Sequence, residues 1–138
     1  MARDRFHEQV RLALEADGWS ISDDPLHLRW GKIDLYIDLA AERPIAAERN
    51  GEKIAVEIKS FLRQSSVNEF HAAIGQYTSY RVALAKDNPD RTLYLAVPAP
   101  VFEDFFTTPF AEAVVRDSRV NLLVYRLKSP EIVLWQKW

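Results

Sequence analysis

Apolar and polar residues alternate along this chain in several distinct rhythms. In residues 4–17, Phe6, Val10, Ala13 and Leu14 recur at helical spacing, with Asp4 placed to cap the start and Gly18 to end the turn. Residues 67–86 carry a second helical stripe through Phe70, Ala73, Ile74, Tyr77, Arg81 and Leu84, broken by Asn88-Pro89-Asp90. Two stretches alternate with period two instead. In residues 32–40, Ile33, Leu35, Ile37 and Leu39 oppose Asp34, Tyr36 and Asp38; in residues 53–60, Ile54, Val56 and Ile58 oppose Ala55, Glu57 and Lys59. Both predict strands with one apolar face. Residues 91–100 are almost continuously apolar, the pattern of a strand buried on both faces.

Shorter signals complete the outline. Residues 19–31 read as short strands or extended loops, and residues 101–118 as short helices with a turn at Pro109. Residues 120–127 and 131–138 form two closing strands around a Lys128–Glu131 turn. Asn50-Gly51 predicts a two-residue hairpin, because a type I′ turn needs positive φ at both positions. In that register Arg49 pairs with Glu52, Glu48 lies across from Lys53, and Pro44 faces Glu57 at the start of its strand. The order of elements predicts one α/β domain over residues 1–138, a sandwich whose central mixed sheet is flanked by helices.

Composition narrows the classes. A chain of 138 residues buries about two-thirds of its unfolded surface, enough to fold without staples. There is no cysteine, which excludes disulfides and thiolate metal sites and suits the cytoplasm. No apolar run reaches a membrane span, and the first ten residues lack the apolar core of a signal peptide. The formal net charge of −2 argues against a protein that coats nucleic acid with its whole surface, so nucleic-acid binding requires a local basic patch.

The chemistry lies in the polar rows of the two alternating strands. If these strands share a sheet, Asp34 and Asp38 come to the same face as Glu57 and Lys59. Paired carboxylates suit a hard cation such as Mg²⁺ or Mn²⁺ that keeps several waters. Such a cation polarises a phosphodiester and acidifies a bound water. Lys59 is placed to stabilise the developing charge or to orient the water. Gln76 and Tyr80, four apart on the second helix, face the same way and would close one wall.

The ordered residues Gly31…Asp34-Leu35, Glu57-Ile58-Lys59 and Gln76…Tyr80 resemble the PD-(D/E)XK nuclease superfamily, especially its RecB-type members. That resemblance implies a restriction-endonuclease-like sandwich. It assigns catalysis to Asp34, Glu57, Lys59 and Gln76, metal binding to Asp34 and Glu57, and supporting roles to Tyr80 and to Glu8 as an additional acid. Twenty-two residues separate Asp34 from Glu57, more than a single hairpin needs. That separation brings in Glu48 and Asp38 as alternatives for the second metal ligand, ranked behind Asp34 in that order.

Residues 34–61, 69–84 and 91–98 are also similar to XisH-type proteins, cyanobacterial factors that control excision of the fdxN element during heterocyst differentiation. That resemblance implies a companion protein called XisI and action beside a site-specific recombinase on DNA. Three readings follow: a metal-dependent nuclease, a non-cutting regulatory subunit bound to XisI, and the nuclease half of a toxin–antitoxin or defence pair. Whether the protein is a monomer or a homo-oligomer is left open.

Other conspicuous residues have plain expectations. His7, His27 and His71 lack metal-ligand spacing and read as structural or surface groups. Trp19, Trp30, Trp135 and Trp138 read as core or edge packing, and so do the three phenylalanines of residues 102–106. Lys53, Arg63, Arg81 and Arg91 could form a basic rim.

Overall fold

The computed structural model describes residues 4–43, 51–62 and 66–138. The elements are α1 (His7–Ala16), β1 (Ser20–Asp23), β2 (Leu26–Trp30), β3 (Ile33–Ile37), β4 (Leu39–Arg43), β5 (Glu52–Ile58), α2 (Ser66–Asp87) and β6 (Thr92–Pro98). They are followed by α3 (Ala99–Val101), a π-helical turn (Phe102–Phe106), α4 (Pro109–Asp117), β7 (Leu122–Arg126) and β8 (Glu131–Gln136). Local chemistry sets several boundaries. Gly18 takes φ +93° after α1, where the Trp19 N–H reaches back to the Leu14 carbonyl. Thr108 caps α4 by accepting from the Ala111 N–H, with Pro109 in the first turn.

Six strands form a mixed sheet in the order β1-β4-β5-β6-β7-β8, with β5, β6 and β7 parallel and the outer pairs antiparallel. β2 and β3 form a separate antiparallel hairpin. Both faces of the sheet are covered. Ile54, Val56 and Ile58 join Tyr94, Leu123 and Tyr125 beneath Val10, Ala13 and Leu14 of α1. On the opposite face Ala55, Leu95 and Val124 pack with Phe70, Ala73 and Tyr77 of α2 and with Phe106 and Val115. The result is a mixed α/β fold whose central sheet lies between helices. Among the described residues, no helix is long and apolar enough to cross a membrane.

Two expectations about the strands change. The alternation over 33–39 is not one strand: the chain bends at Asp38, leaving β3 in the hairpin and β4 in the main sheet. Ile37 and Leu39 would share a face in a continuous strand, yet Ile37 sits in the α2-side core and Leu39 in the α1-side core. Ile33, expected to be apolar-face packing, is 63% exposed.

The β4–β5 register is also different. Glu52 pairs with Arg43 rather than the expected Arg49, and Lys53 with Glu42 rather than the expected Glu48. Leu39 opposes Val56, and the Arg43 guanidinium meets the Glu52 carboxylate at 3.2 Å. Hydrophobic pairing along the strands outweighs the turn dipeptide in setting register. Asn50, Pro44 and Glu48 themselves lie outside the described residues.

Candidate active site at the end of the parallel strands

Glu57 lies near the C-terminal end of β5, on the face covered by α2, and is only 4% exposed. Its neighbour is Asp38. The Asp38 backbone N–H donates to Glu57 Oε1 at 3.3 Å, and the Ile58 N–H donates to Asp38 Oδ2 at 2.7 Å. The bend at Asp38 thus exchanges strand pairing for bonds that hold two acids together. Burial, the nearby Asp38 carboxylate and a side-chain hydrogen bond between them push the Glu57 carboxyl up to about 9, against a smaller opposing pull from Lys59. At neutral pH Glu57 therefore keeps its proton.

Three further groups surround this pair. The Lys59 backbone N–H continues the parallel pairing by donating to the Ala96 carbonyl at 3.1 Å. Its side chain lines an open cleft of about 540 Å³ between the end of β5 and the start of α2, shared with Asp4, Asn68 and Glu69. Among the described residues, no carboxylate comes within ion-pair distance of the Lys59 ammonium. From α2, Gln76 Nε2 donates to the Tyr80 hydroxyl at 2.9 Å. Burial raises the Tyr80 phenol above its ordinary range, the Gln76 bond lowers it, and Glu57 and Asp38 raise it further; the tyrosine therefore senses both acids. Asp4 ties the start of the chain to this end of the sheet, accepting from the Ser60 and Phe6 N–H groups at 3.0 and 2.9 Å.

The donor set meets the elementary demands of a small hard cation. Mg²⁺ is commonly held by one or two carboxylates with water completing the shell. A buried acid that otherwise keeps its proton, beside a second carboxylate, is a suitable host. Among the described residues, no three His, Asp or Glu side chains converge as a ready-made cage.

Comparison with known proteins places the chain. A family model described as XisH protein matches residues 1–133. The chain belongs to the XisH family. Two solved structures resemble it along their whole length. An XisH family protein from Nostoc punctiforme PCC 73102 is 44% identical, with a TM-score of 0.88, covering 97% of this chain and 100% of that one. An fdxN element excision controlling factor protein from Anabaena variabilis is 47% identical, with a TM-score of 0.87, covering 98% and 100%. Among curated proteins none matches.

In this XisH-family chain, Glu57, Lys59, Gln76 and Tyr80 gather around one locus, and Asp38 joins them in place of the first-ranked Asp34. Asp34 lies on the β2–β3 hairpin, where its carboxylate bonds His27 Nε2 at 2.8 Å and lies 3.9 Å from Arg29 Nε. Asp38 was read as the least favoured of the three acids, yet it is the one that touches Glu57. One sequence signal pointed to it: only eighteen residues, 39–56, separate it from Glu57. Glu8 is exposed in the first turn of α1, and Glu48 lies outside the described residues.

The XisH-family structure gives the remaining groups specific places. His7 is buried against Asp24 at 2.8 Å, His27 stacks on Tyr36, and His71 sits beside Phe70 and Phe110. Trp19 is core, Trp135 packs on it at 5.6 Å, and Trp30 and Trp138 are about half exposed. The expected basic rim does not form from Arg81 and Arg91. Arg81 Nη1 donates to the Ser118 carbonyl at 2.6 Å. Arg91 is partly buried at the opposite end of the sheet, bonding the Ala41 and Ile54 carbonyls and Glu42. Arg63 lies outside the described residues.

Proposed function

We propose that this XisH-family protein is a PD-(D/E)XK-type, restriction-endonuclease-like enzyme that cleaves DNA phosphodiesters with Mg²⁺ or Mn²⁺, in the service of controlled excision of a DNA element. The observation that carries this reading is the buried Glu57 in contact with the half-buried Asp38 at the end of a parallel strand, with Lys59 two residues beyond and Gln76–Tyr80 alongside. The relative from Anabaena variabilis, named for control of fdxN element excision, supports the DNA context.

Asp38 and Glu57 would hold the cation, which supplies Lewis-acid polarisation and an acidified water when bound. To do so, Glu57 gives up the proton that it holds alone. Lys59 presents its ammonium to the cleft, where it meets the charge that grows on a phosphate under attack. Lysine suits this place better than arginine because its proton can be shared as the local charge changes. The Gln76 carboxamide anchors the Tyr80 hydroxyl and keeps that wall polar beside the acids. The two-residue spacing on β5 directs Glu57 and Lys59 to one face.

The test is incubation of the purified chain with supercoiled, linear and single-stranded DNA in Mg²⁺ or Mn²⁺. Wild-type protein is expected to cut at least one form, and Glu57→Gln, Lys59→Ala and Asp38→Asn to lose at least about 100-fold in rate. Absence of metal-dependent cleavage of every form overturns the enzyme.

The acidic overall balance, with a formal net charge of −2, favours a second reading. In it the same fold is a non-cutting subunit that binds an XisI-type companion and adjusts a site-specific recombinase. Co-purification with XisI at mild salt, unchanged in Glu57→Gln, is its expected signature; failure to co-purify counts against it.

A further inference from the structure

The β2–β3 hairpin carries an apolar face that extends past its support. Leu26, Leu28 and Ile37 at its base are buried in the α2-side core. On the same face at the tip, Trp30 pairs with Ile33, and these are 47% and 63% exposed. Gly31, at φ +61°, reverses the chain between them. Helix α2 ends just beneath: Asp87 Oδ2 accepts the Arg29 N–H at 3.0 Å, and Lys86 Nζ stands 5.0 Å over the Trp30 ring. Two large apolar side chains are thus held in water on a braced ribbon.

The charge around the tip is positive on a chain that is negative as a whole. Arg29, Lys32 and Lys86 face two carboxylates, Asp34 and Asp87, both engaged: Asp34 with His27 and, at 3.9 Å, with the Arg29 guanidinium, and Asp87 with Lys86 and the Arg29 N–H. Among the described residues, Lys32 has no carboxylate within ion-pair distance, and the Arg29 side chain is 65% exposed.

We infer that this tip is a DNA contact, with Trp30 and Ile33 entering a groove of duplex DNA and Arg29 and Lys32 meeting the flanking phosphates. A two-stranded ribbon fits a DNA groove, and apolar wedges flanked by cations are a common means of engaging base pairs. The inference rests on the nuclease reading of the Asp38–Glu57 site and extends it. Strand β3 runs from the tip directly into Asp38. Five residues of strand span about 16 Å, so the tip would touch the duplex about five base pairs from the cut. A protein partner could also cover an apolar tip, but the surplus of positive charge complements a polyanion.

The experiment uses full-length Glu57→Gln protein, titrated without metal with a short blunt duplex over a salt series. Trp30→Ala combined with Ile33→Ser is expected to weaken binding about tenfold at unchanged salt slope. Lys32→Ala is expected to reduce the slope of log affinity against log salt by about one. Both sites are exposed, and circular dichroism checks that the fold persists. Unchanged binding in both variants overturns the contact, as does wild-type protein with no affinity for duplex at low salt. Loss of self-association or of a protein partner, with DNA affinity intact, also overturns it. Protein that cuts DNA while the tip variants bind as tightly as wild type refutes the tip and spares the nuclease. Tip-dependent binding by a protein that never cuts does the reverse.

Discussion

Replacing Glu57 by glutamine isolates the energetic consequence of the buried acid pair. In the metal-free fold the Glu57 carboxyl is raised to about 9 from an ordinary value of 4.5. Between those pH values the unfolded chain has released this proton and the native chain still holds it. Stability therefore falls as pH rises, by about 1.4 kcal/mol per pH unit. The contribution is fully present below pH 4.5 and is lost as pH climbs through about 9. At pH 7 the accumulated cost is about 3 kcal/mol. Glutamine has the same shape, can still accept the Asp38 N–H, and carries no charge, so Glu57→Gln recovers that amount. For 138 residues the unfolding entropy is about 0.3 kcal/mol/K, so the gain corresponds to about 10 °C in Tm. The assay is thermal and urea unfolding of both proteins in chelator from pH 4 to pH 9. The difference should be near zero at the acid end and widen with pH. Mg²⁺ should narrow it by stabilising wild type alone. A Glu57→Gln protein that is less stable than wild type at pH 7, or a difference that does not vary with pH, would refute the argument.

Two structural substitutions test the frame around the site. Arg91→Ala removes the guanidinium that satisfies the Ala41 and Ile54 carbonyls, Ser22 and Glu42, and should lower stability by about 3 kcal/mol with an unchanged urea m-value. Tyr77→Phe removes a hydroxyl that donates to the Leu93 carbonyl and accepts the Asn121 N–H, both under the sheet. It should cost about 1.5 kcal/mol in the same measurement, and a neutral effect would contradict the bonding.

The parts of this fold set by short-range periodicity could be read from the chain. The stripe Phe70-Ala73-Tyr77-Leu84 is the buried side of α2, and the alternation of Ile54, Val56 and Ile58 against Ala55 and Glu57 sorts them to opposite sides of β5. That alternation did not reveal that the Glu57 side is also covered, because burial depends on a helix arriving from residues 66–87. The contact of Asp38 with Glu57 was hidden in the sequence for a related reason. Its neighbours continue a two-residue rhythm, so nothing local marks the bend, which is held by bonds to Glu57 and Ile58 nineteen and twenty residues away. The favoured dipeptide Asn50-Gly51 misled the register because the packing of Leu39 and Ala41 against Val56 and Ile54 decides it. Arg91 looked like a surface charge until two strand ends supplied its carbonyl partners.

The chain passes from the hairpin into the main sheet through a single residue, Asp38. Ile37 anchors the chain in the α2-side core and Leu39 anchors it in the α1-side core, with Asp38 fixed between them. Inserting or deleting one amino acid there would unseat an anchor on each side at once. The carboxylate is therefore indexed by the architecture itself, and its location is as constrained as that of any core side chain.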